Sequence, residues 1–329
     1  MNILMIAVND PAGTGIAFCR AVNRLERKNR HTCRIITLET RYTHAWDKDL
    51  HVPDLIGPDG DEKGLAELER LLKTSDVLHF HMTADEHLRL GPFVPADYLA
   101  GKAVVHHEHG HHDFRSNPES FRAKYRSLGR RNLLVSTPDL LRLMPEARWQ
   151  PNLVPEQEPL FRPVERGWTG SLQVAHSPTR KDLKNTDELL AVVDELGRAG
   201  VDIRLDLIDN VPNRECLARK QQAHALFDHM QGYYGVTSLE GLSQGLAVIA
   251  GLDGWNRAHV AEFAGVSADR GELPWVLARD RAELAERLRW LAADLDRCRE
   301  IGAASRRFME RCWSEAKVAG RLCDFWDAL

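Results

Sequence analysis

Apolar runs rich in valine and isoleucine alternate with amphipathic stretches along most of this chain, and that alternation limits the possible folds more than any other feature. Short runs with no polar face suit strands covered on both sides, as in parallel sheets, and parallel strands require crossover helices between them. The fold class is therefore α/β. Strands are predicted at 3–8, 33–38, 77–81, 103–107 and 133–136, with helices between several of them. At 329 residues the chain has room for two domains of roughly 150 residues each. The pattern breaks at Trp149-Gln150-Pro151-Asn152-Leu153-Val154-Pro155 and the Pro-rich, polar residues 156–170, which read as a linker. It restarts with a strand at 172–176, a helix at 186–198, a strand at 201–208, and a further helical and strand segment within 232–250. From residue 280 onward the pattern is helical, and Val318, Leu322, Phe325 and Trp326 near the end form one docked face.

Composition excludes several alternatives. A formal charge of -4 gives no general attraction to nucleic acid, and the basic stretch 126–131 reads as a solvated helix face. No segment approaches the roughly 20 apolar residues of a membrane span. The apolar opening has no basic start and stops at Asn9-Asp10-Pro11, which fits a buried first strand better than a signal peptide. Cys19, Cys33, Cys216, Cys298, Cys312 and Cys323 have no disulfide-framework or Cys-x-x-Cys spacing, so reduced thiols in a cytoplasmic protein are expected.

Three segments carry candidate chemistry. Gly13, Thr14 and Gly15 occupy the corner between the first strand and its helix, where ligands collect in such sheets; a tight turn alone would also explain the glycines. The segment His176-Ser177-Pro178-Thr179-Arg180-Lys181-Asp182-Leu183-Lys184 leads into a helix whose Asn185 and Glu188 resemble a capping box. Arg180 and Lys184 beside a helix N-terminus suit a diphosphate, though a solvated basic loop has the same composition. In 232–250, a glycine turn before a short helix would aim the backbone N–H groups of Thr237, Ser238 and Leu239 at phosphate. Glu240 could take the two hydroxyls of a ribose, or serve only as a carboxylate favoured by the helix dipole.

Residues 176–187, followed by Gly-Val-Thr-Ser-Leu-Glu-Gly-Leu-Ser-Gln-Gly-Leu-Ala-Val-Ile-Ala at 235–250, resemble the donor domain of GT-B glycosyltransferases, close to the retaining family 4 group. The Pro-Asn-Leu-Val-Pro segment and the terminal Trp-Ser-Glu-Ala-Lys-Val-Ala-Gly-Arg-Leu resemble the family's crossover and end. The resemblance implies two Rossmann-like domains facing across a cleft: an acceptor-side domain at 1–155, a nucleotide-sugar donor domain at 156–311, and a helix at 312–329 crossing back to the first. It implies Arg180 and Lys184 on the diphosphate, Glu240 on the ribose, and retaining transfer of a sugar from a nucleotide-diphosphate sugar, UDP- or GDP-linked, to a hydroxyl. Glycan, lipid-linked or small-molecule acceptors fit, met through loops within 9–15, 40–61 and 83–95, with peripheral membrane contact in the lipid-linked case. A permanently bound cofactor and a metal are not expected. Many members carry a glutamate seven residues before the ribose carboxylate; this chain has Gly232 there, with Asp228 and Gln231 as nearby substitutes. That departure keeps open an epimerase or hydrolase of the same architecture, and a partner subunit that binds nucleotide sugar without turnover.

His106-His107-Glu108-His109-Gly110-His111-His112 contains the H-E-x-x-H pattern of zinc proteases. That chemistry needs a helix, whereas a strand enters this segment and Gly110 interrupts it. The resemblance offers another use: a histidine at a strand end facing the donor sugar, for which His109 is the best match. His79 and His81 share one face of the preceding strand and read equally well as satisfied core polar groups.

Overall fold

The computed structural model describes residues 1–10, 12–26, 31–40, 47–57, 60–268 and 271–329. Parts of the expected acceptor loops, at 11, 41–46 and 58–59, lie outside the described residues. The chain divides into two compact units, Met1–Leu153 with Ala316–Leu329, and Val154–Glu315.

The first unit contains β1 (Asn2–Ala7), α1 (Thr14–Arg24), β2 (Thr32–Thr37), β3 (Leu50–His51), α2 (Val52–Ile56), α3 (Glu62–Thr74), β4 (Val77–His81), β5 (Ala103–Glu108), α4 (His112–Ser116), α5 (Pro118–Ser127), β6 (Asn132–Val135) and β7 (Arg148–Trp149). Its sheet is seven-stranded and parallel, in the order β3-β2-β1-β4-β5-β6-β7. Every residue of β1 after Asn2 is buried, as a strand covered on both faces requires. Strand order reverses between β1 and β4, which opens a crevice at their C-terminal ends.

The second unit contains β8 (Leu172–His176), α6 (Thr186–Arg198), β9 (Ile203–Leu207), α7 (Asn213–Gln221), β10 (Ala225–Phe227), α8 (Val236–Ser243), β11 (Ala247–Ala250), α9 (Gly254–Ala264), β12 (Val276–Leu277), α10 (Arg281–Ala292) and α11 (Leu295–Cys312). Its parallel five-stranded sheet runs β12-β11-β10-β8-β9, so order reverses between β8 and β10. Val174 of β8 shares one buried core with Leu189 and Leu196 of α6, Phe227 of β10, Ile249 of β11 and Leu288 of α10. The packing of α8 against α11 depends on Gly302, where an added Cβ would lie 2.1 Å from the Gly245 carbonyl oxygen. The final helix, α12 (Glu315–Asp327), buries Val318, Ala319, Leu322, Cys323 and Trp326. Gln150 Nε2 donates to the Val318 carbonyl at 3.1 Å, which fixes this helix to the end of β7.

Two sequence expectations need correction and one gains detail. The expected linker contains the boundary between the two units, but its residues 154–170 are packed as a strap: the carbonyls of Pro159, Leu160, Phe161 and Arg162 accept from Gln221, Gln244, Ser243 and Gln221, and Arg166 donates to the carbonyls of Gln221, Gln244 and Gly245. Polar side chains that would suit a loop in water instead satisfy buried backbone. The basic stretch is not wholly a solvated helix face, because α5 ends at Ser127 and Arg130 pairs with the buried carboxylate of Glu86. Asn185 does not form a capping box: it sits at φ 52 and makes no side-chain cap bond to α6. Its Oδ1 accepts from Met230 N–H at 2.9 Å, so it ties the start of α6 to the loop after β10. Among the described residues no helix is long and apolar enough to cross a membrane.

Candidate functional site

In open parallel sheets, ligands bind beyond the carboxyl ends of the strands where strand order reverses. In the second unit that place lies beyond His176 and Phe227. His176 joins the two strands by a 3.0 Å hydrogen bond between Nδ1 and the Phe227 carbonyl, and its Nε2 meets Thr186 Oγ1 at 2.9 Å. Burial lowers its pKa to about 4, keeping the ring neutral.

The loop after β8 and the residue after β10 meet through Lys184 and Asp228, whose Nζ and Oδ1 are 2.8 Å apart. Asp228 also accepts from Gly235 N–H at 2.6 Å and from the Ser238 hydroxyl at 2.8 Å. Burial would raise its pKa, but His229 and Lys184, with the hydrogen bonds it accepts, hold it well below the usual carboxylate range. The Asp228 side chain is 1% exposed and that of Lys184 is 21%, so Asp228 is a buried anchor for an accessible cation. In the sequence Asp228 stands out only as a substitute for a missing sugar contact. The structure gives it the task of positioning Lys184 and the entrance to α8.

The other expected residues separate. Arg180 is 55% exposed and held by Asp182 in a two-pronged pair, Nε to Oδ1 at 2.9 Å and Nη2 to Oδ2 at 2.5 Å. Of the turn residues, Ser238 N–H donates to the Gly235 carbonyl at 3.0 Å and its hydroxyl to Asp228, while Leu239 is buried and Thr237 half-buried. Glu240 is buried on α8 and paired through Oε2 with Lys220 of α7. Burial works against the Lys220 charge, but Glu240 outweighs it and the pKa is raised. Lys220 carries no signal in the sequence, because a lone lysine in a helix that ends up buried looks the same as a solvated one.

Gly232 has φ 88, in the region that favours glycine. Its carbonyl accepts from Asp253 N–H at 2.8 Å and Asn256 Nδ2 at 3.0 Å. A glutamate there would need a strained backbone, with its Cβ 3.9 Å from an Asp253 carboxylate oxygen. Gln231 donates to Asn185 Oδ1 at 3.5 Å.

In the first unit, the turn at Gly13, Thr14 and Gly15 already has an anion. Asp10 accepts from Gly15 N–H and Ile16 N–H, both at 3.0 Å, at the start of α1. These N–H groups are therefore not turned toward a phosphate, and the carboxylate would repel one. Gly15 serves packing, since a Cβ there would lie 2.4 Å from Ile35 Cδ1.

Side-chain alternation divides the histidine-rich segment between the two faces of β5. Glu108 accepts from the Tyr125 hydroxyl at 2.5 Å, and His106 meets Glu86 at 3.3 Å. On the opposite face, His107 and His109 lie beside His79 and His81, with His81 Nδ1 2.9 Å from His109 Nε2. Burial lowers the His109 pKa to about 4, against a smaller opposing effect of Asn152. Glu108 thus points away from His107, and the zinc-protease reading has no geometric basis.

Two parallel α/β units, each reversing strand order at its centre, with the last helix returned to the first unit, define the GT-B class of fold. No protein-family model matches the sequence, and a search of curated proteins gives no match. Solved structures do match. An alpha-glucosyltransferase in complex with UDP and a 13-mer DNA is similar at TM-score 0.65 and 11% identity, with 98% of each chain covered. Sucrose-phosphate synthase from Thermosynechococcus elongatus gives TM-score 0.59 and 14% identity over 100% of this chain and 98% of that one. A glycosyltransferase from Rickettsia africae ESF-5 gives TM-score 0.60 and 12% identity over 99% and 98%. At such identities the likeness establishes the fold, which is that of GT-B glycosyltransferases.

Proposed function

We propose that the second unit binds a nucleotide-diphosphate sugar, UDP- or GDP-linked, and that the chain transfers the sugar to a hydroxyl acceptor with retention of configuration. The observation that carries this reading is the position of Lys184: an accessible cation, anchored by buried Asp228, at the strand-order reversal of a GT-B fold. In that reaction the acceptor oxygen bonds to the anomeric carbon as its bond to the β-phosphate oxygen breaks. The acceptor proton passes to the departing phosphate. Lys184 offsets the charge growing on the nucleotide diphosphate, and Arg180 can exchange Asp182 for phosphate because that pair is exposed and individually weak. Glu240 takes the ribose through Oε1, with Lys220 on its other oxygen. His109 contributes to turnover rather than to nucleotide affinity.

The test is calorimetric binding of UDP-, GDP- and ADP-sugars to the wild-type protein and to Arg180→Ala/Lys184→Ala, followed by assays for transfer, hydrolysis and epimerisation. A folded double variant should bind the accepted nucleotide at least about tenfold more weakly, the equivalent of roughly 1.4 kcal/mol. Unchanged affinity removes the site, and failure of every nucleotide to bind removes the function. Binding without any conversion would instead identify a nucleotide-sugar-binding subunit.

A further inference from the structure

The first unit contains a group of histidines that the proposed transfer reaction leaves unused. His79 and His81 alternate on one face of β4, and the parallel register sets His107 of β5 directly beside His81. Their exposures are 0%, 3% and 1%. One ring nitrogen from each lies within 4.8 Å of the other two. Both nitrogens of His79, both of His107 and Nε2 of His81 are buried without a hydrogen-bond partner. Buried polar groups in native proteins nearly always have partners, so five such atoms in one cluster call for a ligand.

We propose that His79, His81 and His107 form a binding site for a late first-row divalent metal ion, with zinc as the representative case. Imidazole nitrogens without carboxylates or thiolates favour zinc, copper or nickel over magnesium or calcium. Zinc–nitrogen bonds of about 2.0–2.1 Å require ring nitrogens roughly 3.4 Å apart, so small side-chain rotations suffice to close the observed triangle. The hydrogen bond between His81 Nδ1 and His109 Nε2 leaves His81 Nε2 as the coordinating atom. It also supplies the outer partner that metal-bound histidines ordinarily have. Burial lowers the His79 pKa to about 3 and those of His81 and His107 well below the usual range, so all three rings are held as neutral donors. A water completes the four-coordinate shell. Because Glu108 faces the opposite side of β5, it does not stand ready to activate that water, and the ion's task is to join the ends of β4 and β5. Phe18 and Trp326 close the site, 6.4 Å from His107 and 5.8 Å from His79 between ring centroids, so an ion there would also brace α1 and α12.

The test uses the full chain without a histidine tag, stripped with a chelator and titrated with Zn2+ and separately with Co2+. About one equivalent should bind, giving the visible absorption of four-coordinate Co2+ and raising the melting temperature. X-ray absorption on the zinc-loaded wild type should show a shell of nitrogen and oxygen only at about 2.0 Å, with the scattering pattern of imidazole. His79→Gln and His107→Gln should each lose more than the roughly 10–100-fold in affinity that outer-shell changes cost. The exposed His112→Ala should bind as the wild type does. Absence of stoichiometric binding to the wild type, a sulfur-containing shell, or unchanged affinity in both folded glutamine variants would overturn the site. None of these readouts involves a nucleotide.

Discussion

Replacing Lys220 by methionine leaves the buried carboxylate of Glu240 without its cation. The side chains are 2% and 7% exposed, so little water can take the place of the ammonium group on the Oε2 side of the carboxylate. Removing one partner from such a pair costs about 3–5 kcal/mol, whereas replacing both with neutral groups of similar volume is close to neutral. Lys220→Met should therefore lose about 3 kcal/mol or more, and Lys220→Met/Glu240→Gln should recover most of it. Urea unfolding of the single and double variants at pH 7, followed by tryptophan fluorescence, measures the loss and the recovery. A loss below about 1 kcal/mol, or a double variant no more stable than the single, would refute the structural argument. The same pair of variants tests the ribose assignment. The wild type should prefer a ribonucleotide to its 2′-deoxy analogue, and the folded double variant should lose that preference.

Three further outcomes follow from the geometry. Gly302→Ala should destabilise by about 1–3 kcal/mol in thermal unfolding, because its Cβ would meet the backbone carbonyl of Gly245 at 2.1 Å; a neutral result would mean that α8 and α11 can separate freely. His176 is neutral in the folded state down to about pH 4, while the unfolded chain takes up its proton near 6.5. Its contribution is therefore complete above 6.5 and is lost as pH falls toward 4, by about 1.4 kcal/mol per unit; equal acid sensitivity in folded His176→Asn would refute it. His109→Ala should reduce turnover while leaving nucleotide affinity within about twofold. Full activity would exclude His109 from the reaction.

The α/β class and the longer strands β1, β2, β4, β5, β6, β8 and β9 are legible in the sequence within two residues, because burial on both faces imposes a local pattern, whereas β3, β7, β10 and β12, of two or three residues each, are too short to show one. Lys184 and Glu240 are legible for a related reason: each lies next to a helix entrance marked by glycine, proline or asparagine. What they touch is not. Asp228 is 44 residues from Lys184, and Lys220 is 20 from Glu240, and nothing in a local pattern states which distant charge will close a pair. The turn at Gly13 shows the same limit, since the sequence offers an anion-binding corner and the fold places Asp10 in it. The histidines show it most fully. Alternation alone sets His79 with His81, and His107 with His109, but only the register of β4 on β5 brings the two pairs onto one buried face. Periodicity is a property of neighbouring residues, and so the sequence determined the elements. Register and charge pairing depend on how separate elements pack, and so the tertiary structure decided which of the marked residues share a site.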